Sequence, residues 1–322
     1  MNKRRMTAAA VFAGLAIVLA LISVFRPHAG TSVPASRRII CTTYPVYLLA
    51  KAAAKGSPLQ PELLLPADTG CPHDYALTPH DLMKLSGGDV LLIRNGMGLD
   101  DAVRDAALRA EPGLKTVSAT EGLASLPSET GEEEEEEEEE AHKHEELCHH
   151  HGGRNGHLFA SPDTAAGMLR NIAAALAGFD PEHAALYEKN AAGSTAELEA
   201  LAEQFRTAGL QGKKIAVQHD IFAYLARLCG MECAVSLRTE EKQVPGPAEI
   251  VTIRSEIKKK GVSVLFSEPQ YPQKAAETIA ADCGIRFAVL DPCATGPDDA
   301  DLSYYLDTMR SNLKILRETL GK

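Results

Sequence analysis

"DPEHAALYEKNAAGSTAELEALAEQFRTAGL", residues 180–210, reads as one helix of about thirty residues, and the rest of the chain arranges itself around it. Asp180 and Pro181 offer an N-cap followed by a first-turn proline, where the missing N–H is not needed. Gly193 and Ser194 weaken the middle of the helix without stopping it. On either side, short β-rich runs alternate with helical patterns. Before it come "RRIICTT", "YPVYLLAKAAAKG", "ELLLP", "HDLMKLSGG" and "DVLLIRNG", with "SPDTAAGMLRNIAAALAGF" as a closing helix whose N-cap falls near Ser161 or Asp163. After it come "KKIAVQHD", "ECAVSL", "VSVLFSEP" and "RFAVLDP". Alternation of this kind argues for mainly parallel sheets covered by helices. The expected fold class is therefore α/β, with two lobes joined by one long helix: residues 37–179, the helix 180–210, and residues 211–322. At 322 residues the chain is long enough for two cores, and no repeat with a solenoid or propeller period is present.

Residues 1–36 have a different character. Lys3, Arg4 and Arg5 precede twenty uncharged, mostly apolar residues, 6–25. This is the pattern of an export signal, and at ~1.5 Å per residue it is long enough to remain as a membrane anchor. Small residues at Ala29, Gly30 and Ala35 allow cleavage, and no cysteine follows directly for lipid attachment. The positive flank stays inside, so the body of the protein is expected in the periplasm or another extracytoplasmic space, with or without a tether through residues 6–25. Seven cysteines in an exported chain leave at least one thiol over, with Cys148 the candidate. Pairing is expected within Cys41 and Cys71, and within the set Cys229, Cys233, Cys283 and Cys293.

The formal charge is −11, but a run of nine glutamates, residues 132–140, accounts for most of it, and removing that run leaves −2. No basic face points to nucleic acid. Behind the glutamates lies a histidine-dense stretch: six of the eleven histidines fall within residues 142–157. Residues 128–156 are too charged to bury and are expected to lack fixed structure without metal. Carboxylates raise the local cation concentration and clustered imidazoles bind zinc weakly, so His142, His144, His149, His150 and His151 are candidate accessory ligands of a capture loop. A solvated spacer is the plain alternative, and the histidine enrichment argues against it.

In open α/β sheets, ligands sit beyond the carboxyl ends of the strands. His219 ends "KKIAVQ", His73 follows "ELLLPADTGCP", and His157 closes the charged segment just before a helix. Asp291 ends "RFAVL", and Glu268, ending "VSVLFS", is held in reserve. Three neutral imidazoles with a carboxylate or water suit four-coordinate Zn(II) and disfavour magnesium and calcium. A histidine at a strand end is also a common hydrogen-bonded structural residue, so spacing alone does not decide. His80 and His183 read as surface residues. Asp74 and Asp220, each beside a candidate ligand, read as helix caps first and as orienting partners of imidazoles second.

The segments "TTYPVYLLAKAAAKG", "GCPHDYALTPHDLMKLSGGDVLLIRNGMGLDD", "HLFASPDTAAGMLRNIAAAL", "QHDIFAYLARLCGM", "PGPAEIVTIRSEIKKKGVSVLFSEPQY" and "VLDP" occur in this order from about residue 39 to the end. Together they resemble the cluster A-I metal-binding solute-binding proteins of bacterial ABC importers. That resemblance implies a metal held between two lobes that a rigid helix joins. Its ligands would be His73 of "PH-x-Y", His157 of "HLFASP", His219 of "HD-x-F-x-Y" and Asp291 of "LDP". A histidine at position 219 together with a charged, His-rich loop is similar to the zinc-uptake branch, since manganese and iron members typically carry glutamate there. The loosest match surrounds His157, with Gly156 before it and Phe159 and Ser161 after it; should it fail, His149 to His151 are the substitutes. Pro72 stands where some zinc members carry an acidic ligand, which leaves the fourth place to Asp291 or water. The implied role is a monomeric receptor that delivers Zn(II) to an inner-membrane permease and its ATPase, without catalysis.

Three rivals share parts of this pattern. A secreted zinc hydrolase would use the same histidines with Glu268 as base, but no H-E-x-x-H, G-x-S-x-G or G-x-x-x-x-G-K-[ST] motif is present. The others are a manganese-binding protein and a metal-sequestering or adhesion protein of the same fold.

Overall fold

The structure is a computed structural model that describes residues 37–70, 72–73, 75–128, 153–237 and 246–321. The export segment, the accessory histidines at 142–151, Cys71, Cys148 and Asp74 lie outside the described residues.

β1 (Arg37–Cys41) is apolar on both faces from Ile39 to Cys41 and fully buried there, as the centre of a parallel sheet requires. It pairs with β2 (Pro61–Leu63) and β3 (Asp89–Arg94), and β4 (Lys115–Ser118) closes the far edge, in the order β2-β1-β3-β4 with every pairing parallel. Helices α1 (Tyr44–Ala53), α2 (Pro79–Leu85), α3 (Asp101–Ala110) and α4 (Pro162–Phe179) belong to this half. After the connecting helix α5 (Ala184–Arg206), β5 (Lys214–Val217), β6 (Glu232–Ser236), β7 (Val264–Ser267) and β8 (Arg286–Val289) form a second parallel sheet in the order β6-β5-β7-β8. Its helices are α6 (Ala223–Cys229), α7 (Pro247–Lys260), α8 (Gln273–Cys283) and the terminal α9 (Leu302–Leu320). Strand order reverses between β1 and β3 in one sheet and between β5 and β7 in the other. Those are the switch points where open sheets present ligand-binding loops.

α5 runs through Gly193 and Ser194 without interruption. Its buried stripe of Tyr187, Ala191, Thr195, Leu198, Ala202 and Phe205 keeps the three- or four-residue spacing that places every member on one face. Its start differs from the expected cap. Pro181–His183 forms a 3-10 turn, and the Asp180 carboxylate accepts from His183 Nδ1 (2.7 Å), the Tyr187 hydroxyl (2.7 Å) and Arg37 (3.1 Å) instead of backbone amides. His183 is thereby tied down instead of extending into solvent.

A single apolar cluster joins the two halves. It contains Ile39 and Leu48 of the first lobe, Leu169, Leu198 and Phe205 of α4 and α5, Val217 and Phe266 of the second sheet, and Leu313 and Leu316 of α9. Each such side chain contributes about 1.5–3 kcal/mol on burial, so parting the lobes would re-expose a large apolar area. The loop before α9 adds polar ties to α1: Tyr44 and Tyr47 donate hydroxyl hydrogens to the carbonyls of Pro297 (3.0 Å) and Asp298 (3.1 Å), and Lys51 donates to that of Ala300.

The expected disulfides are not formed among the described cysteines. Cys41, Cys229, Cys233, Cys283 and Cys293 are all thiols. Cys41, Cys229 and Cys293 sit inside the core as small apolar side chains, and burial pushes the Cys229 thiol up to about 12 and that of Cys41 further. Among the described residues no helix is long and apolar enough to cross a membrane.

Candidate metal centre

His219 directly follows β5 and its Gln218, and Glu268 directly follows β7, so the two lie side by side at the second sheet's switch point. His219 Nδ1 is 2.6 Å from Glu268 Oε1. Glu268 is completely buried, and its other carboxylate oxygen accepts from the Gln270 side chain at 2.6 Å. A carboxylate on Nδ1 is the usual arrangement behind a metal-bound histidine. Glu268 therefore stands behind a candidate ligand.

His157 is buried, and its segment is fixed from several sides. Asn155 Oδ1 accepts from the backbone N–H of His157 at 2.9 Å, which identifies that atom as the amide oxygen. The same oxygen is 3.1 Å from His157 Nδ1, so Nδ1 carries the hydrogen and Nε2 the lone pair. Asn95 donates to the Gly156 carbonyl at 2.9 Å, and a Cβ at position 156 would come within 2.9 Å of Leu99 Cβ. The glycine before His157, a departure in the sequence pattern, is there because the Met97–Leu99 turn packs against its backbone.

His73 sits in a turn in which Tyr75 N–H donates to the Pro72 carbonyl (3.1 Å). The Tyr75 hydroxyl then bonds the Asp81 carboxylate (3.0 Å), which also accepts from Thr78 N–H (2.9 Å) while Asp81 N–H donates to the Thr78 hydroxyl (3.2 Å). This capping box starts α2 and anchors the His73 turn to it. Burial alone would raise the Asp81 carboxyl, but its bonds from Thr78 and Tyr75 outweigh that and hold it below the usual range.

The three imidazoles, drawn from segments far apart in the chain, meet between the lobes. The ring centroids of His73 and His157 are 5.6 Å apart, and those of His157 and His219 are 5.1 Å apart, both edge to face. Among the described residues, ligand atoms of His157, His219 and Asp220 all lie within 4.8 Å of one another. Asp220 was read from sequence as a helix cap first. Its carboxylate instead faces the imidazoles, with Oδ1 3.6 Å from His157 Nδ1 and Oδ2 accepting from the Ser128 hydroxyl at 3.2 Å. Like His73, Asp291, which follows β8, is not a member of that close group. Its Oδ1 accepts from Cys293 N–H at 2.8 Å, burial raises its carboxyl, and its charge is felt by Tyr44 and Tyr304. His80 is exposed on α2, away from any such grouping.

Sequence reasoning missed Asn155. Its role follows from contacts with residues distant in the chain, namely the Asp220 carbonyl (2.8 Å) and, through its own carbonyl, the Tyr224 hydroxyl (2.7 Å), and "RNGH" carries no spacing signal for either.

Residues 39–319 match the family model "Zinc-uptake complex component A periplasmic". The high-affinity zinc uptake system protein ZnuA of Bacillus subtilis is 29% identical over 287 residues, covering 88% of this chain and 87% of that protein. The protein of the same name from Paracoccus denitrificans is 33% identical over 305 residues, covering 88% and 91%. Among solved structures, the solute-binding protein FpvC of Pseudomonas aeruginosa in complex with Mn2+ superposes with a TM-score of 0.73 at 24% identity, over 88% of this chain and 98% of that one. The chain is a member of the zinc-uptake component A family of periplasmic proteins.

Proposed function

We propose that this chain is an extracytoplasmic receptor that captures Zn(II) between its lobes and delivers it to an ABC-type permease and its ATPase. The family is one of solute-binding transport proteins, not of enzymes, so the hydrolase alternative falls away. The convergence of His73, His157 and His219 at the lobe interface carries the reading. Three neutral imidazoles match the preference of zinc, with Asp291 or a water completing the shell. In this reading residues 37–179 and 211–322 are the two lobes, 180–210 is the fixed connector, and the receptor acts as a monomer. The accessory histidines, His142, His144, His149, His150 and His151, collect zinc ahead of the interlobe site, and residues 6–25 export the chain or tether it.

The test is a zinc titration by calorimetry on the mature protein, beside a variant lacking residues 131–153. One tight site surviving the deletion supports the interlobe assignment. Loss of tight binding on deletion would place primary ligands in the loop and remove His157 from the set. Manganese is the second cargo to titrate, because FpvC was solved with that ion at similar fold; tighter manganese than zinc binding would overturn the choice of metal.

A further inference from the structure

His219 and His157 are oriented in different ways. The partner of His219, Glu268, comes from the same sheet and is entirely buried. The partners of His157 come from both lobes. Asn155, two residues upstream, takes its Nδ1 hydrogen, and the Asn155 amide nitrogen donates across the interface to the Asp220 carbonyl at 2.8 Å. The Asp220 carboxylate in turn stands 3.6 Å from the same Nδ1. One turn further on, the Tyr224 hydroxyl bonds the Asn155 carbonyl (2.7 Å) and accepts from Leu126 N–H (3.0 Å), so the second lobe grips both strands of this segment. Leu126 and Asn155 are themselves joined backbone to backbone at 2.9 Å.

We propose that Asn155 and Asp220 act together as the positioning pair of His157, one from each lobe, so that this ligand's Nε2 is aimed at the metal only while the two lobes are docked. The chemistry is that of an imidazole held by an acceptor at its non-ligating nitrogen, with the acceptor itself held by a neighbouring group. An amide is well suited to the first place. Its oxygen takes Nδ1–H and the backbone hydrogen of His157, and its nitrogen reaches the other lobe, which a carboxylate could not do. The negative charge of Asp220 then favours the Nδ1–H tautomer and an imidazole polarised toward a cation at Nε2. Neither residue is proposed to touch the metal.

The inference rests on the interlobe zinc site proposed above, and one experiment separates their failures. Zinc affinity is measured by chelator competition for the native protein and for N155A, D220A, D220N and the double variant N155A/D220A. The Co(II)-loaded visible spectrum and the thermal midpoint of each apoprotein are recorded alongside. The expected result is a 10–100-fold loss of zinc affinity for each alanine variant, and a double variant losing far less than the product of the two single losses. The Co(II) ligand-field bands should change in both alanine variants, and D220N, which keeps the shape but loses the charge, should lose affinity about as far as D220A. Native-like affinity and spectrum in folded D220A and N155A would overturn the pairing. Failure of the native protein itself to bind zinc tightly would remove the site and leave nothing for the pair to position.

Discussion

His219 Nδ1 lies 2.6 Å from Oε1 of Glu268, a carboxylate with no solvent exposure at the end of the neighbouring strand. A buried carboxylate is costly unless its charge is used, and here it is placed to hold one imidazole in one tautomer. Replacing Glu268 with Gln preserves the shape but offers the imidazole a neutral amide. The expected outcome is a 10–100-fold loss of zinc affinity with the fold retained, read by chelator competition and circular dichroism. Unchanged affinity would mean that Glu268 is only a structural partner.

The three imidazoles are expected to be unequal in their structural role but alike in binding. H73A, H157A and H219A should each abolish tight zinc binding measured by calorimetry. H157A should also lower the thermal midpoint, because His157 is buried while His73 and His219 are partly exposed. A variant of any one that still binds with native affinity would remove that residue from the ligand set.

Protons compete with zinc for imidazole nitrogen. Free histidine titrates near ~6.5, and ligation requires the neutral ring, so zinc affinity should fall steeply as pH drops from 7.5 to 5.5. The apparent dissociation constant by competition at several pH values checks this. A flat profile would contradict a three-histidine site.

Asp180 makes a separate, stability-linked prediction. Burial by itself would raise its carboxyl, but hydrogen bonds from Tyr187 and His183, with Arg37 nearby, hold it below the usual carboxylate range. A carboxyl lowered in the folded state stabilises above its unfolded pKa, and that contribution is lost as pH falls through the folded value. D180A should therefore cost about 1–3 kcal/mol at neutral pH by removing the acceptor of the buried Tyr187 hydroxyl. The difference from the native protein should shrink in acid below the usual carboxylate range. Denaturant melts at pH 7 and pH 3 measure both.

Gly296 sits where the second lobe's last loop crosses α1. A Cβ there would collide with the Tyr44 hydroxyl and come within 2.8 Å of the Tyr304 ring. G296A is expected to destabilise by about 1–3 kcal/mol, the range for overpacking a well-filled site. A melt matching the native protein would show that the strap yields freely.

Much of this architecture could be read from the sequence because it depends on local pattern. The unbroken apolar runs of β1, β3, β5 and β7 and the three- or four-residue spacing of the α5 stripe are local patterns that survive folding. The strand β4, "KTVS", gave no such signal: it is short, lies at a sheet edge and is only half-buried. The cysteines mislead because an exported chain favours pairing, whereas Cys41 and Cys293 fill the core. At the site, strand ends flagged His219 and Glu268. The partnership of Asp220 with His157 and the role of Asn155 arise only when residues 126–128 and 153–157 meet the turn after β5, a contact between distant segments that no spacing rule encodes.

One zinc ion is expected between the lobes on His73, His157 and His219. The most direct test is a crystal structure of the protein loaded with one equivalent of zinc, with anomalous data collected at the zinc edge. A single strong peak is expected at ~2.0–2.1 Å from a ring nitrogen of each of the three histidines. A peak elsewhere, with those imidazoles unligated, would contradict it.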